Sequence, residues 1–154
     1  EMGEVFTHQN IANLVPKYKP DDEQHGTSAA IEYAVRFLRV SNIIVMGHSN
    51  CGGIKGAHDM FADGATNDTK FLTPWLEQIR PAFDLAKETT QDGDDIISQM
   101  EKHSVLVSLE NLMTFPFVKE AVENNQLTLH GLWNDIGEGL ILQYNHQTHR
   151  FENA

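Results

Sequence analysis

One short segment brings together two residue types that bind soft metal ions. In "GHSNCGG", residues 47–53, His48 lies three residues before Cys51, the only cysteine in this chain of 154 residues. Zinc prefers imidazole and thiolate ligands, and the start of a helix would stabilise the thiolate that binding requires. Because a zinc site needs three or four protein ligands, this motif supplies half a site at most. The alternative is a histidine bonded to the backbone beside a small buried cysteine.

Two other chemistries use similar residues. Gly47 and Gly52 have the spacing of a phosphate-binding loop, but a glycine and an isoleucine follow where that motif needs lysine and serine or threonine. The spacing therefore argues against a nucleotide site. A nucleophilic Cys51 is consistent with the effect of a helix N-terminus on a thiol, although nothing identifies the orienting asparagine or aspartate. The nucleophile and the metal site both stay open.

The elements around this segment must place it at the end of a strand. The apolar run "NIIVMG", residues 42–47, predicts a strand buried on both faces, as in parallel sheets. Apolar residues at helical spacing predict a helix before it over residues 27–38, with Thr27 or Ser28 as its cap. "GGIKGAHDMF" predicts a short helix directly after it. The histidine and the cysteine then lie outside the carboxyl end of a strand, where such sheets bind ligands.

The rest of the chain predicts further helices and strands. "EVFTHQ" near the start predicts a strand, and "ADGATNDT" predicts a polar loop. Helices are predicted over residues 70–89 with a kink at Pro81, over residues 92–115 with an acidic start, and over "PFVKEAVENN". "QLTLHGLWND" and "GEGLILQYN" predict two strands around an "IGEG" turn. This order predicts one α/β domain over residues 1–154, with a mostly parallel central β-sheet flanked by helices.

Composition limits the partners. A formal net charge of -11 with only 11 lysines and arginines argues against binding to nucleic acid or to an anionic membrane surface. No apolar run approaches the roughly 20 residues of a membrane-spanning helix. A single cysteine excludes an internal disulfide and favours a reducing compartment, so we expect a cytoplasmic protein. A removed targeting segment stays an open alternative, because the chain begins at Glu1 without an initiator methionine.

Four segments carry a close resemblance to the β-class carbonic anhydrases. They are "GEVFTHQNIANLVP", "HGTSAAIEYAVRFLRVSNIIVMGHSNCGGIKG", "SLENLMTFPFV" and "LTLHGLWNDIGEG", in the order that the family has them. The resemblance implies a zinc-dependent carbonate dehydratase, a lyase that reversibly hydrates carbon dioxide to bicarbonate and a proton. In that family two cysteines and one histidine hold Zn²⁺, which lowers the pKa of bound water so that a hydroxide can attack the substrate. His48 and Cys51 match two of these ligands.

The resemblance also implies a substrate pocket. Phe6, Ile11 and Tyr33 match positions that line the family's pocket, partly across a dimer interface, and Gly52 matches a position beside the metal. Ordinary core packing is the alternative for the first three residues. A homodimer or higher homo-oligomer is expected, and "FLTPWLEQIRPAF" offers apolar side chains for an interface, unless Trp75 packs inward.

The chain departs from the family pattern at its start. The family's other zinc cysteine lies in a Cys-x-Asp-x-Arg motif shortly before the segment that matches Gly3 to Asn13, and no residue here occupies those positions. We therefore expect an N-terminally incomplete domain with no catalytic residue of its own, the aspartate and arginine lying upstream of Glu1. This fragment should be inactive. The alternative is a natural non-catalytic homologue that acts as a binding or assembly module. Gln9 also replaces an arginine that many relatives carry.

Overall fold

The computed structural model describes residues 3–21, 23, 25–64, 69–91 and 95–154. Within these ranges the chain forms six α-helices and four strands. The helices are α1 (Gly26–Glu32), α2 (Gly52–Ala62), α3 (Leu72–Leu76), α4 (Arg80–Thr89), α5 (Ile96–Leu112) and α6 (Pro116–Glu123). The strands are β1 (Asn42–His48), β2 (Thr128–Asp135), β3 (Leu140–Asn145) and β4 (Arg150–Asn153). None of the described helices is long and apolar enough to cross a membrane.

The sheet has the strand order β1-β2-β3-β4 and is mixed. Strands β1 and β2 pair in parallel, whereas β2 with β3 and β3 with β4 pair antiparallel. The predicted α/β class is confirmed, but the prediction of a mostly parallel sheet is wrong. The last three strands follow one another through tight turns, which permit only antiparallel pairing. Strand β4 was not predicted, because its sequence "RFEN" is short and polar.

Helix α5 lies directly on one face of the sheet, and two glycines permit this close approach. A Cβ atom at Gly131 of β2 would lie 3.0 Å from both Val105 Cγ1 and Leu109 Cδ1. A Cβ atom at Gly47 of β1 would lie 2.8 Å from Val105 Cγ2. Val105, Leu109 and Val45 belong to one buried cluster. The carboxyl end of β1 is therefore fixed against α5.

The other face of β1 is uncovered in the described structure. Ile44 is 57% exposed and Met46 is 47% exposed, whereas Val45 and Gly47 are buried. Strand β1 also stands at the edge of the sheet as the described residues form it. The prediction of a strand buried on both faces is therefore wrong, because α5 covers one face and no described element covers the other.

The N-terminal segment differs from its prediction in two ways. "EVFTHQ" is not a strand, because it has no ladder partner among the described residues. Thr27 and Ser28 do not cap α1: the N-cap is His25, which makes no side-chain capping bond. The hydroxyl of Thr27 instead contacts His8 Nε2 at 3.0 Å and Asn10 Nδ2 at 3.3 Å. The predicted helix itself is confirmed, and it continues as a π-helix over Tyr33–Leu38.

The remaining helices follow their predictions with one exception. The helix predicted over residues 70–89 with a kink at Pro81 is interrupted instead: a 3₁₀ turn over Glu77–Ile79 separates α3 from α4, and Pro81 lies in the first turn of α4. The carboxylate of Asp95 accepts a hydrogen bond from the Ile97 amide at 3.0 Å, which confirms the acidic start of α5. Part of the predicted polar loop, residues 65–68, lies outside the described residues. Helix α2, which begins directly after Cys51, is confirmed.

The segment before α1 that packs on α5 has a left-handed backbone at two positions. Ala12 has φ 63° and Asn13 has φ 47°. Ser108 of α5 donates a hydrogen bond to the Asn13 carbonyl at 2.9 Å and accepts one from the Val15 amide at 3.2 Å. The buried amide of Asn111 donates to the Val15 carbonyl at 2.8 Å. These polar side chains of α5 hold a backbone that non-glycine residues adopt only at a cost.

Candidate metal centre

A two-residue turn joins β1 to α2 and places the two candidate ligands on either side of it. His48 is the last residue of β1, and Cys51 is the N-cap of α2. The Ser49 amide continues the parallel ladder by donating to the Asn134 carbonyl at 2.8 Å. Asn50 takes the left-handed conformation, with φ 58°, that reverses the chain. The motif thus lies at the carboxyl end of a parallel strand, as predicted.

One hydrogen bond decides which nitrogen of His48 is free. His48 Nδ1 lies 2.9 Å from the carbonyl oxygen of Ser49. A carbonyl can only accept, so Nδ1 must carry the hydrogen and the lone pair of a neutral ring lies on Nε2. Histidines that ligate metals are commonly fixed in this way by a backbone acceptor. The arrangement suits a metal at Nε2.

Cys51 is buried, and a glutamate accepts a hydrogen bond from its backbone amide. Its side chain forms no disulfide, and the residue is 5% exposed. Its amide donates to Glu101 Oε1 at 2.9 Å, and the indole Nε1 of Trp133 donates to Glu101 Oε2 at 3.2 Å. Burial raises the pKa of the Glu101 carboxyl above its usual value, and these two hydrogen bonds oppose that shift.

Sequence reasoning missed Glu101, because a glutamate in a long helix is usually a solvated residue. The available signal was its position on the helix. Glu101 shares the inward stripe of α5 with Ser104, Val105 and Ser108, and all four are buried. A charged residue in line with buried positions at helical spacing indicates a buried, bonded carboxylate.

A cavity of about 450 Å³ opens beside the motif. Of the four predicted pocket residues, only Gly52 lines it, together with Cys51, Lys55, Trp133 and Asp135 among others. Phe6, Ile11 and Tyr33 are 45%, 52% and 49% exposed. Core packing, the alternative considered for these three, is therefore wrong, and their role in a pocket stays a prediction.

The three exposed residues lie in two places. The Phe6 ring contacts Tyr33 in a tilted arrangement with ring centroids 5.8 Å apart, and Tyr33 stacks on Phe37 at 5.6 Å. We call Phe6, Tyr33 and Phe37 the aromatic row. Ile11 lies instead against the first turn of α2, because its Cγ2 is 2.8 Å from where a Cβ atom of Gly53 would be. Glycine is required at position 53 for this contact, two residues from the candidate ligand.

The side chain of Trp75 packs inward, which was the alternative to a place in an interface. Trp75 packs against the buried cluster that contains Leu76, Ile79 and Phe83. Its indole nitrogen donates to the Ile11 carbonyl at 2.9 Å. The tryptophan therefore packs inward and helps to place Ile11, and an interface at this segment stays a prediction.

The ligand set is incomplete within the described residues. Zinc requires at least three protein donors. In the part of the chain that the structure describes, only Asp21, Glu23 and His25 bring three histidine, cysteine or acidic donor atoms within 4.8 Å of one another, and they lie at the surface before α1. His48 and Cys51 belong to no such group. Their donor types fit zinc, and their number is two.

The comparisons with known proteins identify a family. The sequence matches the carbonic anhydrase family over residues 1–141. It is 40% identical to beta carbonic anhydrase 3 of Arabidopsis thaliana over 142 residues, which cover 90% of this chain and 54% of that protein. The chain thus spans about half the length of that relative.

Solved structures with a similar fold belong to the same class of protein. The fold matches the β-carbonic anhydrase CcaA with a TM-score of 0.89 and 30% identity, covering 100% of this chain and 74% of the other. It also matches a tetrameric β-carbonic anhydrase of Sordaria macrospora, with a TM-score of 0.76 and 32% identity over 93% of this chain and 69% of the other. This chain belongs to the β-class carbonic anhydrase family.

Proposed function

We propose that the protein to which this chain belongs is a zinc-dependent carbonic anhydrase that interconverts carbon dioxide and bicarbonate. The observation that carries the proposal is the turn after β1, where the bonded Nδ1 of His48 leaves Nε2 free and Cys51 follows at the start of α2. The single cysteine remains unpaired, which suits a reducing compartment such as the cytoplasm.

The residues in and around the turn after β1 each have a definite part in this proposal. His48 Nε2 and the Cys51 thiolate would hold Zn²⁺, and the ion would supply the Lewis acid that activates water near neutral pH. The hydrogen bond to Ser49 fixes the imidazole, and the contact of Ile11 with Gly53 bounds the start of α2 with an apolar side chain. The third protein ligand and the family's aspartate and arginine would come from outside residues 1–154, so the chain alone should be inactive.

Association of copies fits the exposed apolar residues. The proposed pocket residues Phe6, Ile11 and Tyr33 are about half exposed, which suits side chains that a neighbouring subunit covers. The related protein of Sordaria macrospora is tetrameric. We therefore include a homo-oligomer, a dimer or a larger assembly, in the proposal.

A non-catalytic binding or assembly module is the second candidate. One observation favours it: the described residues around His48 and Cys51 provide two donors, short of the three that catalytic zinc requires. The same fold with an incomplete ligand set would keep the shape of the family without its chemistry.

Zinc content and carbon dioxide hydration of the full-length gene product separate the two candidates. We expect about one zinc per subunit and rapid hydration, both lost in Cys51→Ser and in His48→Ala. His146→Ala is the matched control, because this exposed histidine lies in the turn between β3 and β4 and should change neither quantity. A full-length product without zinc would establish the module instead. Near-normal hydration by residues 1–154 alone would show that the ligand assignment is wrong.

A further inference from the structure

We propose that Glu101 is a positioning residue that fixes the backbone of Cys51 and thereby aims its thiolate at the metal. The inference rests on the proposed function, because it gives the carboxylate a part in metal binding. In the proposal Glu101 is not a metal ligand, and it acts through the amide of the cysteine.

The carboxylate joins the three elements that meet at the site. It projects from α5, and each oxygen accepts one hydrogen bond, Oε1 from the Cys51 amide at 2.9 Å and Oε2 from the Trp133 indole at 3.2 Å. Trp133 lies on β2 opposite Gly47 of β1, one residue before His48. One side chain therefore fixes the start of α2 and the strand pair that carries the other candidate ligand.

The cysteine needs this contact because its own helix does not supply one. Cys51 is the N-cap of α2 and makes no side-chain capping bond. Amides at a helix start have no partner within the helix. The Glu101 oxygen takes that place, and it restrains the backbone torsions from which the Cys51 side chain projects.

Two donors aimed at one side chain require two acceptors. A carboxylate offers two oxygens, whereas the amide of a glutamine offers one oxygen and one NH₂ group. Glutamine at position 101 would fill the same volume and leave one NH₂ facing a buried N–H. Glu101 is only 2% exposed, and burial of a charged carboxylate is unfavourable unless its oxygens accept hydrogen bonds.

Co²⁺ titration and amide exchange of the full-length gene product test the proposal with Glu101→Gln, because the proposed site takes its third protein ligand from outside residues 1–154. Co²⁺ bound to a thiolate gives a charge-transfer absorption, and NMR-detected exchange reports the Cys51 amide without any metal. We expect E101Q to weaken Co²⁺ binding by about 10- to 100-fold, as for other residues that support a metal ligand. We expect faster exchange of the Cys51 amide, by about tenfold for one lost hydrogen bond.

Ser108→Ala is the matched control. Ser108 lies on the same buried stripe of α5 and also bonds a distant backbone, but its partners are Asn13 and Val15. S108A should lower the urea midpoint without changing Co²⁺ affinity or Cys51 exchange. Unchanged affinity and exchange in E101Q would overturn the proposal, and so would an equal loss of Co²⁺ affinity in S108A.

A second variant distinguishes positioning from general destabilisation. Trp133→Phe removes one of the two donors, so that in the double variant E101Q/W133F the single oxygen of the new amide can serve the Cys51 amide alone. We expect the double variant to bind Co²⁺ about as well as W133F, a non-additive result. Additive losses would contradict the proposal. If the wild-type full-length product shows no thiolate-to-cobalt band, the proposed metal site fails, and the Cys51 exchange rates in E101Q and W133F then decide the role of Glu101.

Discussion

The two regions that the sequence marks for function are held in opposite ways. The turn with His48 and Cys51 is fixed by hydrogen bonds that it donates to the carbonyls of Ser49 and Asn134 and to the carboxylate of Glu101, and it is largely buried. The aromatic row is held mainly by contacts between its own rings, and Phe37 is 71% exposed. The difference shows that hydrogen bonds within this chain already fix the candidate turn, whereas the described residues leave the aromatic row largely uncovered.

The largest effect should come from the ligand itself. Cys51→Ser keeps the volume of the side chain and removes the thiolate, so the affinity of the full-length protein for zinc should fall by more than about a hundredfold, beyond the loss from a supporting residue. Dialysis against a zinc chelator with metal analysis measures this. If Cys51→Ser retained stoichiometric zinc, Cys51 would not be a metal ligand, and the two regions would no longer differ in this respect.

The next effect concerns how tightly the turn is fixed to α5. Gly47→Val would place new atoms 2.8 Å from Val105 Cγ2, so the free energy of unfolding should fall by about 3 kcal/mol. Urea unfolding followed by circular dichroism measures it. Gly52→Ala is the matched control, because no atom lies within 4 Å of the added Cβ, and its stability should be unchanged or slightly higher. Equal losses would contradict the close packing inferred at Gly47.

The aromatic row should respond in association and not in stability. Phe37→Ser should change the free energy of unfolding by less than about 0.5 kcal/mol, because the side chain is mostly exposed. If copies cover this surface, the dissociation constant of the oligomer should rise about tenfold, as measured by sedimentation. Ile136→Ser is the control, since Ile136 is 60% exposed in the turn between β2 and β3. Equal effects of the two variants would show that the row is not an interface.

The smallest expected effect is a pH dependence from the α4–α5 contact. His103 lies 3.2 Å from the Thr89 hydroxyl, and burial lowers its pKa below the usual 6.5. The unfolded chain therefore binds a proton first as the pH falls, so this contribution to stability is present above pH 6.5 and declines below it. The urea midpoint should fall less between about pH 7 and 5 in His103→Gln than in the wild type. The exposed His146→Gln should follow the wild type.

Local pattern was enough to predict the elements of the fixed region. The apolar run of β1, the helical spacing of α5 and the glycines after Cys51 each determine local structure, so the strand, both neighbouring helices and the position of the motif were predictable. Glu101 was not, because its burial depends on β2 and α2, which are distant in sequence. The incomplete ligand set was expected from the single cysteine.

Pairing and coverage were harder to predict. Residues 4–9 have the composition of a strand, but a strand forms only where a ladder partner exists. The apolar side chains of Ile44 and Met46 suggest burial on both faces, and only the tertiary structure shows that one face is open. The exposure of Phe6 and Tyr33 is likewise a property of what packs on them and not of their own sequence.

The parallel pairing of β1 with β2 has a consequence for how the chain folds. Strands β2, β3 and β4 are joined by short turns, so they can associate within a segment of 26 residues. The partners Asn42 and Thr128 are separated by five helices, and closing so long a loop costs more chain entropy. We expect the C-terminal hairpins to form early and β1 to join them late. The turn with His48 and Cys51 at the end of β1 would then be among the last parts of the sheet to reach its final geometry.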